Sequence, residues 1–191
     1  MQLLKEMINS YGEVCEGNVL KVGNFFNQQI DITLMSEMGK EFKKRFDNCG
    51  VTKVLTIEAS GIAFACMTAQ YFNVPMVFAK KSASLNSDDD AYTADITSFT
   101  RGRKYTITLP KPYLGPEDTV LIVDDFLATG SALFGLIDIV NASGAKIAGI
   151  GIGIEKAFQD GGKKVRAMGI RVESLAKIKS MTPGVGVEFC D

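Results

Sequence analysis

A chain of 191 residues with 46% hydrophobic and 23% charged residues can bury a core without disulfide or metal staples. Its formal net charge of -1 supplies no global basic field, which argues against nucleic acid or an anionic membrane as partner. The absence of histidine excludes Ser-His-Asp and Cys-His catalysis and any metal site that needs imidazole. Cys15, Cys49, Cys66 and Cys190 form no CxxC pair and read as reduced thiols of a cytoplasmic protein. The opening MQLLKEMINSYGEV mixes Lys and Glu among its apolar residues, unlike a signal peptide, and the longest apolar stretch, Ile147–Ile154, is too short to span a bilayer.

Leu3, Leu4, Met7, Ile8 and Tyr11 share one helical face, which predicts an opening amphipathic helix. A short apolar piece, Val19–Val22, follows, and Gly23–Gln29 reads as loop. Asp31 is placed as the N-cap of a second helix whose buried stripe is Leu34, Met35, Met38, Phe42 and Phe46. The rhythm then turns to strand, turn and helix. Val51–Ile57 is a buried strand, Glu58–Gly61 a turn, Gly61–Phe72 a helix and Val74–Ala79 the next strand. Thr119–Asp124 is a strand, followed by a loop and a helix over Ser131–Ala142. Lys146–Ile154 is a strand whose alternating glycines predict something lying close against its backbone. Ile170–Val172 and Val187–Phe189 are later strands. Alternating strands and helices predict an α/β fold with a mainly parallel sheet flanked by helices on both faces.

Lys80–Lys104 breaks this rhythm. Its first half is rich in Ser, Asn and Asp. Alternating Thr and apolar residues in the second half predict a hairpin arm. So long a segment reads either as a lid over a site or as a plain excursion.

The most informative stretch is Val120–Ala132, VLIVDDFLATGSA. Four apolar residues form a fully buried strand. Asp124 and Asp125 stand at its carboxyl end, where open α/β sheets bind ligands. After Phe126-Leu127, the small-residue loop Ala128-Thr129-Gly130-Ser131 opens a helix, whose free amides and dipole favour an anion. Carboxylates beside a phosphate cradle would repel the phosphate, unless they accept from a sugar diol elsewhere on the same ligand. A ribose 5-phosphate has both features.

Val120–Ala132 resembles the phosphoribosyl-pyrophosphate signature of type I phosphoribosyltransferases: an apolar strand, two acidic residues, two spacers, then a small residue followed by Thr-Gly. No GxxxxGK[ST] occurs, and Gly149, Gly151 and Gly153 do not complete GxGxxG. The segments NFFNQQID, KVLTIEASGIAFA and GIGIEKAFQDGG extend the resemblance, to the purine enzymes of this family, over nearly the whole chain. It implies the type I phosphoribosyltransferase fold in one domain over 1–191. A small hood would come from about 1–30 and the C-terminal segment, and a flexible lid or arm from about 80–104.

The resemblance further implies transfer of the phosphoribosyl group from phosphoribosyl pyrophosphate to xanthine, without nucleic acid or membrane, in a cytoplasmic homodimer. Another purine as acceptor, or a phosphoribosyl-pyrophosphate-sensing regulator of the same fold, is the alternative. By the same resemblance Asp124 and Asp125 are catalytic and meet the ribose hydroxyls, directly or through a metal-bound water. Ala128, Thr129, Gly130, Ser131 and Ala132 hold the 5-phosphate; Glu58, Ala59, Ser60 and Gly61 face the pyrophosphate; Lys81 reaches it across the dimer interface. Leu20, Asn27 and Lys156 contact the purine. Magnesium is held mainly by phosphoribosyl pyrophosphate, with no dedicated protein metal cage.

The residues themselves allow the base assignments. Lys156 follows a strand ending at the sheet's carboxyl edge, and an ammonium donates well to an exocyclic oxygen and poorly to an amino group, which favours a 6-oxopurine. Asn27 offers a donor and an acceptor, and Leu20 an apolar surface. The lesser alternative is a core leucine, a turn asparagine and a solvated lysine. One departure is visible: related hypoxanthine-guanine enzymes carry an aspartate before Thr-Gly, where this chain has Ala128. No base for the N7 proton is assigned.

Overall fold

The computed structural model describes residues 1–82, 90–98 and 103–190. Helix α1 (Gln2–Tyr11) buries Leu4 and Ile8, an i, i+4 pair. Leu3 and Tyr11, placed by the sequence on the same face, are exposed, so the apolar stripe is narrower than expected. Strands β1 (Glu13–Cys15) and β2 (Val19–Lys21) form a two-stranded antiparallel ribbon with Val14 opposite Leu20. Gly17 and Asn18 turn it with positive φ, at 74° and 60°. Gly23–Asn27, read as loop, is a wide helical turn that buries Phe25 and Phe26. The Gln29 N–H closes it on the Gly23 carbonyl at 2.7 Å. Helix α2 (Ile32–Phe46) begins as the sequence predicts: Asp31 Oδ1 accepts the Leu34 N–H at 2.9 Å, and all five stripe residues are buried.

Then come β3 (Lys53–Ile57), α3 (Gly61–Phe72), β4 (Met76–Ser82), β5 (Ala91–Ser98) and β6 (Arg103–Pro110). They are followed by β7 (Thr119–Leu127), α4 (Ser131–Ser143), β8 (Lys146–Lys156), α5 (Gly161–Ala167), β9 (Val172–Thr182) and β10 (Gly186–Phe189). Eight strands form one sheet in the order β10-β9-β8-β7-β3-β4-β6-β5. The central run β9-β8-β7-β3-β4 is parallel; β10 and β6 join its two ends antiparallel, and β5 pairs antiparallel with β6. Of the arm expected over 80–104, β5 and β6 pair as the predicted hairpin, while 83–89 and 99–102 lie outside the described residues.

Alternation along β7 sorts the core into two layers. Leu121 and Val123 join α1, α2 and α3 on one face; Val120 and Ile122 join α4 and the β5–β6 hairpin on the other. The glycines of β8 explain the close approach. A Cβ at Gly149, Gly151 or Gly153 would stand 2.4, 2.8 or 2.7 Å from ring atoms of Phe46, Phe42 or Phe26. Burying each such ring is worth about 1.5–3 kcal/mol. Strand β9 starts where the sequence placed the end of a short strand and runs to Thr182, because Glu173, Lys177 and Lys179 hide its apolar pattern. Among the described residues no helix is long and apolar enough to cross a membrane.

Candidate active site

Strand β7 carries the site. Val120–Val123 are fully buried, and Asp124 and Asp125 are 4% and 8% exposed. The strand does not end at Asp124 as expected. Phe126 and Leu127 stay paired with Ile154 and Glu155, because β8 is equally long on that side. Asp124 Oδ1 accepts the Asp125 N–H at 3.0 Å, and Asp125 Oδ1 accepts the Phe126 N–H at 3.0 Å. Burial first, and then the Asp125 charge, push the Asp124 carboxyl well above the usual carboxylate range; Lys81 pulls the other way.

The small-residue loop after β7 is a tight cradle. Gly130 turns it at φ +86°, and among the described residues no side chain caps the first amides of α4. Thr129 Oγ1 and Ser131 Oγ lie 3.4 Å apart. Gly161, the first residue of α5, donates its N–H to the Ala128 carbonyl at 3.0 Å. A Cβ there would meet the Ala128 oxygen at 2.4 Å and the Gly130 nitrogen at 2.7 Å. The loop is therefore held from behind by backbone.

A cavity of about 830 Å³ runs from this cradle past Asp124 to Lys156. Lys156 Nζ donates to the Asn18 carbonyl at 2.8 Å and stands 5.6 Å from the Phe126 ring centroid. Burial lowers its pKa. Tyr105 of β6 forms another wall; burial, and after it the Asp124 charge, raise its pKa. The Glu58–Gly61 turn adjoins the site at the start of α3, and its Glu58-Ala59 peptide is cis. Glu58 Oε1 accepts the Lys81 N–H at 2.6 Å, and the Lys81 ammonium lies 5.5 Å from the Tyr105 ring. Gly61 meets β7 closely, since a Cβ there would lie 3.3 Å from Asp124 Oδ1.

Asp124, Ala128–Ala132 and Lys156 thus share one cavity. Leu20 is buried in the core with α1 and α2, and its neighbours Asn18 and Val19 form the cavity wall instead. Asn27 lines a separate groove and sends Nδ2 to Asp125 Oδ2 at 3.5 Å. Sequence reasoning missed Val19, Phe126, Tyr105 and Gln159. Period-2 alternation could have shown that Val19 and Leu20 face opposite ways.

Residues 28–182 match the model of the phosphoribosyl transferase domain. The chain belongs to this family. It is 56% identical over 184 residues to a xanthine phosphoribosyltransferase of Ruminiclostridium cellulolyticum, covering 96% of this chain and 97% of that one. It is also 56% identical over 181 residues to a xanthine phosphoribosyltransferase of Lachnoclostridium phytofermentans, covering 95% and 93%. Among solved structures, an adenine phosphoribosyltransferase from Rhodothermus marinus shares the fold at a TM-score of 0.75 and 19% identity, covering 93% of this chain and 100% of that one. The fold is that of the type I phosphoribosyltransferases, as the β7 loop implied.

Proposed function

We propose that this phosphoribosyltransferase family member transfers the 5-phosphoribosyl group of phosphoribosyl pyrophosphate to xanthine, giving xanthosine 5'-monophosphate and pyrophosphate in purine salvage. One observation carries the reading. A chain 56% identical over nearly its full length to a xanthine phosphoribosyltransferase sets a phosphate cradle, a buried carboxylate and a lysine along one cavity.

In the proposed reaction a purine ring nitrogen attacks C1 of the ribose. The new N–C1 bond forms as the C1–O bond to pyrophosphate breaks. Ala128–Ala132 hold the 5-phosphate with amides and hydroxyls, while Asp124 and Asp125 face the sugar. Their carboxylate charge offsets positive charge developing on the ribose. Lys156 donates to a purine oxygen, and Phe126 and Val19 give the base an apolar slot. Positioning in such a site is worth up to about 7–11 kcal/mol. Ala128 carries no acid or base, so the purine proton leaves by another route.

The residues fit a magnesium ion that travels with the substrate. Among the described residues Thr56 Oγ1 is fully buried without a hydrogen-bond partner, and both it and Asp124 Oδ1 lie close against Gly61. An all-oxygen set of this kind suits a hard cation whose other ligands are substrate oxygens. Asp124, Asp125 and the Glu58–Gly61 turn would hold it, and it would neutralise charge on the departing pyrophosphate. The chain is further proposed to act as a cytoplasmic homodimer, one domain per subunit, in which Lys81 reaches the pyrophosphate across the interface. Its hood comprises about 1–30 with the C-terminal segment, and its lid about 80–104. The test supplies phosphoribosyl pyrophosphate and magnesium with xanthine, guanine, hypoxanthine or adenine and measures released pyrophosphate. Xanthine should give the highest kcat/KM, and no release with any base overturns the reading.

A further inference from the structure

Glu155 is 2% exposed, yet it is a carboxylate in the middle of the molecule. Arg166 of α5 grips it with both fork nitrogens, Nη1 to Oε1 and Nη2 to Oε2, each at 2.7 Å. Ser174 Oγ donates to Oε2 as well. Burial works against the charge, but the bonds from Arg166 and Ser174 outweigh it and hold the Glu155 carboxyl below its usual range. Gly162 makes room for the pair: a Cβ there would stand 2.2 Å from Glu155 Oε1 and 2.5 Å from Arg166 Nη1.

Stability alone does not account for such a pair, because the Arg166 side chain keeps 35% of its surface exposed and an ion pair reached by solvent adds little net stability. What the bidentate fork adds is a fixed direction. Its location makes that direction matter. Glu155 lies opposite Leu127 in the β7–β8 ladder, immediately before the phosphate cradle. Arg166 sits on the short helix whose first residue, Gly161, backs the cradle through its bond to the Ala128 carbonyl. The next residue after Glu155 is Lys156, which points the other way along the strand into the cavity. One ion pair therefore touches both supports of the site.

We infer that the Glu155–Arg166 pair is a positioning device for phosphoribosyl transfer: it clamps the start of α5 against Ala128–Gly130 and sets Lys156, coupling the phosphate subsite to the base subsite. This rests on the function proposed above. Neither residue lines the cavity.

The test compares the parent with Arg166→Lys, which keeps the charge and loses the fork, and with Gly162→Ala, which displaces the pair without altering any charge. Ribose 5-phosphate is titrated calorimetrically as probe of the phosphate end alone. KM for phosphoribosyl pyrophosphate and for xanthine, kcat and the unfolding midpoint are measured beside it. Both variants should weaken ribose 5-phosphate binding and raise both KM values about tenfold, with kcat changed less, since a cradle and lysine held off their positions lose about 1.4 kcal/mol of contact to each substrate. Parental KM values and affinity with a lowered unfolding midpoint would show a merely structural pair and overturn the clamp; so would a loss confined to kcat. If the parent turns over no purine but loses ribose 5-phosphate binding in both variants, the substrate reading fails and the clamp stands. An active parent with two unaffected variants gives the reverse.

Discussion

Lys156 holds its ammonium 5.6 Å from the Phe126 ring centroid while donating to the Asn18 carbonyl at 2.8 Å. The two residues lie on neighbouring strands at one end of the cavity, so cation and aromatic face are presented to a ligand together. Lys156→Met should lower kcat/KM for xanthine about ten- to a hundredfold, the value of a charged hydrogen bond of about 1.5–3 kcal/mol. Adenine use, which gains nothing from a donor at that position, should change little. Because burial lowers the Lys156 pKa, the ammonium form is lost as pH rises, sooner than for an ordinary lysine. kcat/KM for xanthine should therefore fall on an alkaline limb that Lys156→Arg moves upward. Steady-state kinetics across pH for both bases checks this, and an equal loss for every base would remove Lys156 from specificity.

Asp124 sets function against stability. Its folded-state pKa is raised, chiefly by burial, so across the window above the usual carboxylate value the folded state binds more protons than the unfolded state. Stability then falls as pH rises through that window, and the full penalty is present above it. Asp124→Asn removes the penalty and keeps the oxygen that accepts the Asp125 N–H. The variant should resist urea at least as well as the parent at pH 7, while losing about two orders of magnitude in kcat through the missing charge. Denaturation curves at acid and neutral pH, read beside activity, decide it. A variant weaker than the parent at pH 7 contradicts the argument.

The close contact at Gly61 makes a sharper test of the site floor. A Cβ there would lie 2.1 Å from Thr56 Oγ1. Gly61→Ala forces a buried β-branched side chain or the start of α3 to move, at a cost of about 1–3 kcal/mol. KM for phosphoribosyl pyrophosphate should rise, because the added Cβ would also stand 3.3 Å from Asp124 Oδ1. Thr56→Ala removes the clashing atom, so the double variant should regain part of both losses. Additive losses in the double-mutant cycle would show that the two positions do not couple.

Elements governed by local chemistry were legible in the sequence. The Asp31 cap, the α2 stripe and the loop leading into α4 all follow from residue type and spacing. Features set by long-range partners were not. Helix α5 has little apolar pattern because Gly161, Gly162 and Val165 are buried for closeness rather than bulk. Strand β9 hides its pattern behind charged residues that find partners elsewhere, such as Glu173 with Arg45 and Arg171. The site divides the same way. The small-residue loop is one contiguous stretch legible from residue order, whereas the far end of the cavity is assembled from β2, β6, β7 and β8. Only Lys156 among its expected base contacts reaches the cavity wall; Leu20 faces the core and Asn27 faces Asp125.

The β8 glycines supply a prediction about the fold alone. Gly151 has no positive φ, so only space opposes a side chain there. Its Cβ would stand 2.8, 3.0 and 3.1 Å from three atoms of the Phe42 ring, which is fully buried between α2, α3 and the sheet. The ring cannot swing aside, because Phe46 and Phe64 lie within 6.3 and 5.1 Å of it, centroid to centroid. Gly151→Ala should thus cost about 1–3 kcal/mol, or about 3–10 °C in melting midpoint for a chain of this size. Phe42→Leu vacates ring volume, so combining it with Gly151→Ala should cost less than the sum of the two changes. Calorimetric melting of the two single variants and the double variant measures the coupling. Strict additivity would mean that β8, rather than the ring, absorbs the added methyl.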